Sequence, residues 1–167
     1  MTGIDLFSPR FHANRFTLGA LAGLAGGTAE IAWVLLYSSL GGSDAAVVAQ
    51  GITSTFSSGA ATASSSVILG MAIHMLIAVL LGIAIVISVQ ALLPRSRSLL
   101  LAPCMIVASL VGVWALNFML VLPLINPDFV HVIPLEASLA SKVFFGVAAA
   151  FVFGLSDGHR SRHRSRP

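Results

Sequence analysis

Four long apolar runs, at residues 17–40, 67–93, 99–125 and 135–155, constrain this chain more than any other feature. At about 1.5 Å of helical rise per residue, each run reaches across about 30 Å of hydrocarbon. A membrane β-strand needs only about 10 residues and alternates polar with apolar side chains, which these runs do not. In lipid the backbone must satisfy its own hydrogen bonds, so each run is expected to be an α-helix. The sequence therefore predicts an all-α, four-helix transmembrane bundle.

Composition agrees. Apolar residues make up 57% of the chain and charged residues 9%, against about 25% charged in soluble domains. Too few charges are present to cover a folded surface in water. The first run could be taken for a signal peptide, because Arg10 and Arg15 precede it. Its length argues against that, since a signal core spans about 7–15 residues. The single cysteine, Cys104, excludes an internal disulfide, and no Cys/His spacing fits zinc.

Basic residues orient the spans. Arg10 and Arg15 precede the first, Arg95 and Arg97 join the second to the third, and Arg160, Arg162, Arg164 and Arg166 follow the fourth. The connections 41–66 and 126–134 carry no Lys or Arg, so the positive-inside rule predicts cytoplasmic termini. The expected organisation is a cytoplasmic segment at 1–16, one membrane domain at 17–156 and a basic, disordered tail at 157–167. That tail, through its four arginines, is expected to contact anionic lipid headgroups. The short 94–98 turn predicts that the second and third spans pack as antiparallel neighbours. Short interfacial segments are expected in both outer loops, the first capped by Ser43 or Asp44.

Each run contains one strongly polar residue: Glu30, His74, Asn117 and Lys142. With the spans alternating in direction, all four fall about 10–15 Å below the outer boundary. A charge at that depth is expensive against lipid, so Glu30 and Lys142 are expected to face the bundle interior and pair. His74 and Asn117 can extend the pair into a hydrogen-bonded layer. Small residues share these rows: Gly19, Gly23 and Gly27 in the first span, Gly70 and Gly82 in the second, Gly146 and Gly154 in the fourth. Such rows allow close helix packing in lipid.

Other chemistries find less support. His74 with Met71, Met75, Cys104 and Met119 is a soft-metal donor set on different faces and depths. A bis-histidine haem lacks its second buried histidine. No GxSxG, HExxH or P-loop motif is present, and Trp33, Tyr37 and Trp114 read as interfacial or packing aromatics. Neither a metal, a cofactor nor a nucleic-acid partner is expected, and the chain does not read as an enzyme.

Ala29-Glu30-Ile31-Ala32-Trp33, Gly70-Met71-Ala72-Ile73-His74-Met75 and Asn117…Pro123 together resemble the YagU-like family of small bacterial inner-membrane proteins. That family has a Glu in the first span, a His in the second and a Pro closing the third. Lys142 departs from the family's more acidic, histidine-bearing fourth span. The resemblance implies a multi-pass protein of the bacterial inner membrane with a stress-related role. Taken with the polar layer, the expectation is a proton-linked permease component or a stress-related membrane factor, able to form a homo-oligomer or join a larger complex. The alternative is an accessory or assembly subunit whose polar layer only fixes helix packing.

Overall fold

A computed structural model describes residues 15–61, 65–93 and 101–164, and side chains within that set except for Ser58, Ala61 and 157–164. The described residues are helical and include no strand. Four helices are long and apolar enough to cross a membrane. They are α1 (Arg15–Ser39), α4 (Ser66–Leu92), a composite third helix from Leu101 to Ile125, and α7, which begins at Leu135. The first connection carries α2 (Ala45–Phe56) and a single turn, α3 (Ser58–Ala61). The third helix comprises α5 (Leu101–Leu116), a π-turn at Asn117–Val121 and α6 (Leu122–Ile125), followed by a 3-10 helix at Pro127–His131.

α1 is the axis of the bundle because its small residues occupy two adjacent rows. Leu18, Ala22, Gly26 and Glu30 form one, and Gly19, Gly23 and Gly27 the other; all are buried. The glycine row lies against α4, where a Cβ on Gly19 or Gly23 would meet the backbone of Ile83, Ala78 or Val79. The other row faces α7, with Gly26 under the ring of Phe145. Without a hydrophobic drive between helices in lipid, this backbone-to-backbone packing is what holds α1 in place.

α5 leans on α7 through Val107 and Gly146 and meets α4 only lightly. The second and third spans, expected as antiparallel neighbours, do meet in the larger core, but the main partner of α5 is α7. A short connection fixes two helix ends near each other, but the contact along their length follows side-chain complementarity, and α5 finds it on α7.

Two apolar cores result. At the end where α4 finishes and α5 begins, Leu18, Ala22, Val86, Val89, Ile106, Leu110 and Phe145 interlock across all four helices. At the end bearing the long connections, a smaller cluster of Phe118, Leu122, Ile133 and Ala137 is backed by Val34, Tyr37 and Trp114. The outer surface remains apolar, with Leu24, Leu35, Leu76, Leu80, Val147 and Phe151 exposed. Water would penalise that surface; acyl chains do not.

Local chemistry sets the breaks. α1 stops where Gly41 takes φ +88°, a conformation glycine reaches without strain. Asp44 caps α2 by accepting from the Ala46 N–H at 2.8 Å. Pro123 lacks an N–H, and its ring would crowd the Met119 carbonyl. The preceding turn widens to π, with the Leu122 N–H reaching the Asn117 carbonyl five residues back.

The span limits lie within two residues of the sequence expectation at every end, and the fourth span closes at Ser156. Beyond it the helix continues to Arg164, which corrects the disordered tail expected from 157. Gly158 is the only strong helix breaker between Leu155 and Arg164, and Ser, Arg and His can propagate an established helix. The expectations for 1–14, for the 94–98 turn and for Arg166 fall outside the described residues, as do the side chains of Arg160, Arg162 and Arg164.

Candidate functional site

Glu30 sits between the two cores and is 3% exposed. Its depth follows from three helices that begin or end at the long-loop end. Glu30 precedes Ser39 by nine residues, His74 follows Ser66 by eight, and Lys142 follows Leu135 by seven. At about 1.5 Å per residue this places them about 10–14 Å from that end. Antiparallel packing then brings the three side chains together.

The carboxylate is used unequally. Glu30 Oε1 accepts from Lys142 Nζ and lies 3.1 Å from Ser141 Oγ. Glu30 Oε2 faces His74 Nε2 at 3.7 Å, beyond hydrogen-bonding distance. His74 Nε2 is buried and makes no hydrogen bond among the described residues. A buried nitrogen left in this condition costs about 1–3 kcal/mol. The ammonium and imidazole side chains are 20% and 19% exposed, against 4% for the carboxylate. A carboxylate at this depth requires its cation, because an unpaired buried charge is far more costly than a paired one.

Ser141 adds a constraint. Its hydroxyl carries one proton yet lies 2.7 Å from the Ser138 carbonyl and 3.1 Å from Glu30 Oε1. It can donate to only one of them at a time. With Glu30 ionised it can donate to the carboxylate; with Glu30 protonated it can donate to Ser138 and accept from the acid. The hydroxyl therefore has a partner in either state.

Two tryptophans fix α7 beside the site. Trp33 Nε1 donates to the Ala137 carbonyl at 2.9 Å, and its ring stacks on Phe144 with centroids 4.9 Å apart. Trp114 Nε1 donates to Ser138 Oγ at 3.1 Å. These indoles work inside the bundle as inter-helix ties, one from each side of α7.

Of the four polar residues singled out in the sequence, the structure unites Glu30, His74 and Lys142. Asn117 does not join them: among the described residues no hydrogen bond or ion pair links its side chain to the other three. It opens the π-turn ahead of Pro123, which shifts its register relative to the long-loop end from which its depth is counted. Ser141 and Ser138 were not anticipated, since isolated serines are common in such helices. Their signal was position: Ser141 adjoins Lys142, and Ser138 lies one turn away on the same face.

The small-residue rows divide in the same way. Gly19, Gly23, Gly27 and Gly82 form the α1–α4 seam, whereas Gly70 packs on the Ala49 carbonyl and Thr53 of α2, and Gly146 on α5. A Cβ on Gly154 would meet nothing within 4 Å, so this residue is not a packing position among the described residues. The cause is geometric. A row of every fourth residue drifts by about 40° per step, so the row from Lys142 to Gly154 leaves its starting face.

The chain matches no protein-family model, no curated protein and no solved structure.

Proposed function

We propose that this chain is a multi-pass protein of the bacterial inner membrane with both termini cytoplasmic, in which Glu30, His74 and Lys142 form a proton-binding site. The observation that carries the reading is the unsatisfied His74 Nε2, buried 3.7 Å from Glu30 Oε2. Glu30 and Lys142 neutralise each other, so the open valence of the cluster is on the imidazole. A proton taken up at His74 leaves both ring nitrogens as donors and gives Glu30 Oε2 a partner. A charge-assisted bond needs about 2.7–2.9 Å, so uptake draws the imidazole toward α1 by just under about 1 Å. Proton release reverses the step. This is the chemistry required of a proton-linked permease component, and it also suits a stress-related factor that responds to acid.

The test is proton uptake by proteoliposomes containing a trapped pH-sensitive dye, following an external acid pulse. Wild-type protein should accelerate uptake over empty vesicles, and Glu30→Gln should abolish the acceleration at unchanged yield and oligomeric state. A second reading, an accessory subunit whose polar cluster only fixes helix register, is favoured by the Glu30–Lys142 pair bridging α1 and α7. It predicts that Glu30→Gln impairs folding without a separable effect on uptake.

A further inference from the structure

The two long connections are fastened to each other. The Asn126 side-chain amide lies 2.9 Å from Thr55 Oγ1, 3.1 Å from Ser54 Oγ and 3.4 Å from the Gly51 carbonyl. It has two protons for these three acceptors. Its carbonyl oxygen accepts from the Phe129 N–H at 3.3 Å and so starts the 3-10 helix. The Phe129 ring covers Gly51, where a Cβ would leave it no room. A second tie joins Ser43 Oγ to the Val132 carbonyl. α2 and the 126–132 segment thus behave as one cap.

That cap spans the long-loop end of the bundle. On one side α2 sits on the start of α4, where Thr53 Oγ1 donates to the Ser66 carbonyl at 2.6 Å and Ala49 lies on Gly70, one turn from His74. On the other side Ile133 enters the small core with Phe118, Leu122 and Ala137. Toward the opposite end the site is sealed by the larger core, with Phe145 under Gly26 and Ala78 against Gly27.

The joint is notched at the surface. An open cleft of about 250 Å³ lies between α2 and the 3-10 helix, bordered by Val47, Gln50, Ser54, Asp128 and Val132. The seam beneath this surface cleft is held by a few polar contacts at Asn126 and Ser43 and by the Phe129 ring on Gly51, bonds that can exchange partners with water on opening. The titratable groups of the cap segments, Asp44, Asp128, His131 and Glu136, are all exposed, so none is buried in the joint.

We infer that the cap is a gate, opening at the Asn126 joint to connect the Glu30–His74–Lys142 site with the long-loop face. The inference rests on the proton-binding reading and adds direction and control to it: exchange takes place from one side and is limited by separation of α2 from the 126–132 segment.

The experiment uses the same proteoliposomes with full-length protein in a Cys104→Ser background. Ser54→Cys and Asp128→Cys, on opposite walls of the cleft, are joined by a short reducible bis-thiosulfonate. Proton uptake should fall about tenfold or more on cross-linking and recover on adding reductant, while Asn126→Ala, uncross-linked, should raise it by up to about tenfold, as expected for loss of roughly one net hydrogen bond's worth of restraint. Uptake that is indifferent to both changes, yet still lost in Glu30→Gln, would overturn the gate and leave the site standing. Wild-type uptake no faster than that of Glu30→Gln would sink both.

Discussion

The two ends of this bundle are built differently. At the end away from the long connections, all four long helices interlock around Phe145, Ile106, Leu110 and Val86, with glycine backbones in contact along α1 and α4. At the long-loop end the helices share a smaller apolar cluster, and tryptophans, serines and one asparagine make up the difference with directed hydrogen bonds. Packing of the first kind is stiff because no side chain can move without a void. Bonding of the second kind can exchange partners at little cost, as Ser141 and Asn126 both illustrate. The charged site lies at the boundary, anchored by the stiff half and reached through the adaptable one.

The sharpest way to break this contrast is at the boundary. Lys142→Met leaves the Glu30 carboxylate buried without its cation and should lower stability by about 3–5 kcal/mol in a thermal or denaturant assay in detergent. Adding Glu30→Gln should recover most of that loss. Full stability of the single variant would mean that the pair is not sequestered.

Within the stiff half, a methyl group at Gly82 would run into the Gly19 carbonyl and the Gly23 backbone. Gly82→Ala should therefore cost about 1–3 kcal/mol, as overpacking does. Gly154→Ala meets open space and should be neutral or stabilising by up to about 1 kcal/mol, the difference in helix propensity. Equal effects at the two positions would dissolve the distinction between seam and surface.

Within the adaptable half the expected effects are smaller and local. Asn126→Ala should cost about 1–3 kcal/mol, and hydrogen exchange should rise in 45–56 and 126–132 while the cores around Phe145 stay protected. Trp33→Phe keeps the stack on Phe144 but loses the bond to the Ala137 carbonyl, for about 0.5–1.5 kcal/mol. Protection lost uniformly through the bundle in either variant would show that the halves are not separable.

The same contrast governs what could be read in the sequence. Spans were legible because lipid imposes a length and an apolar composition that little else imitates. Glu30, His74 and Lys142 were legible because ionisable groups at equal depths in neighbouring helices have few partners besides one another. Asn117 lay at the same apparent depth, but Pro123 widens its turn, and a count of residues at fixed rise does not register that. Gly154 repeated the spacing of Gly146, but the drift of a four-residue row carried it off the contact face. Ser141, Ser138 and Asn126 act through single hydrogen bonds whose partners are distant in sequence, and no periodicity marks them. The indoles of Trp33 and Trp114 read equally as interfacial or packing aromatics, and their bonds to α7 decide for packing.

The central claim is that a proton taken up by the cluster resides on His74 and is shared with Glu30. Nitrogen-15 solid-state NMR of ring-labelled histidine in lipid vesicles, assigned with a His74→Gln control, reads this directly between about pH 5 and 8. The account predicts a His74 signal that passes from a neutral to a doubly protonated imidazole as pH falls, with Nε2 acquiring a strong hydrogen bond that Glu30→Gln removes. A His74 signal that stays neutral throughout, or that titrates identically in Glu30→Gln, would contradict it.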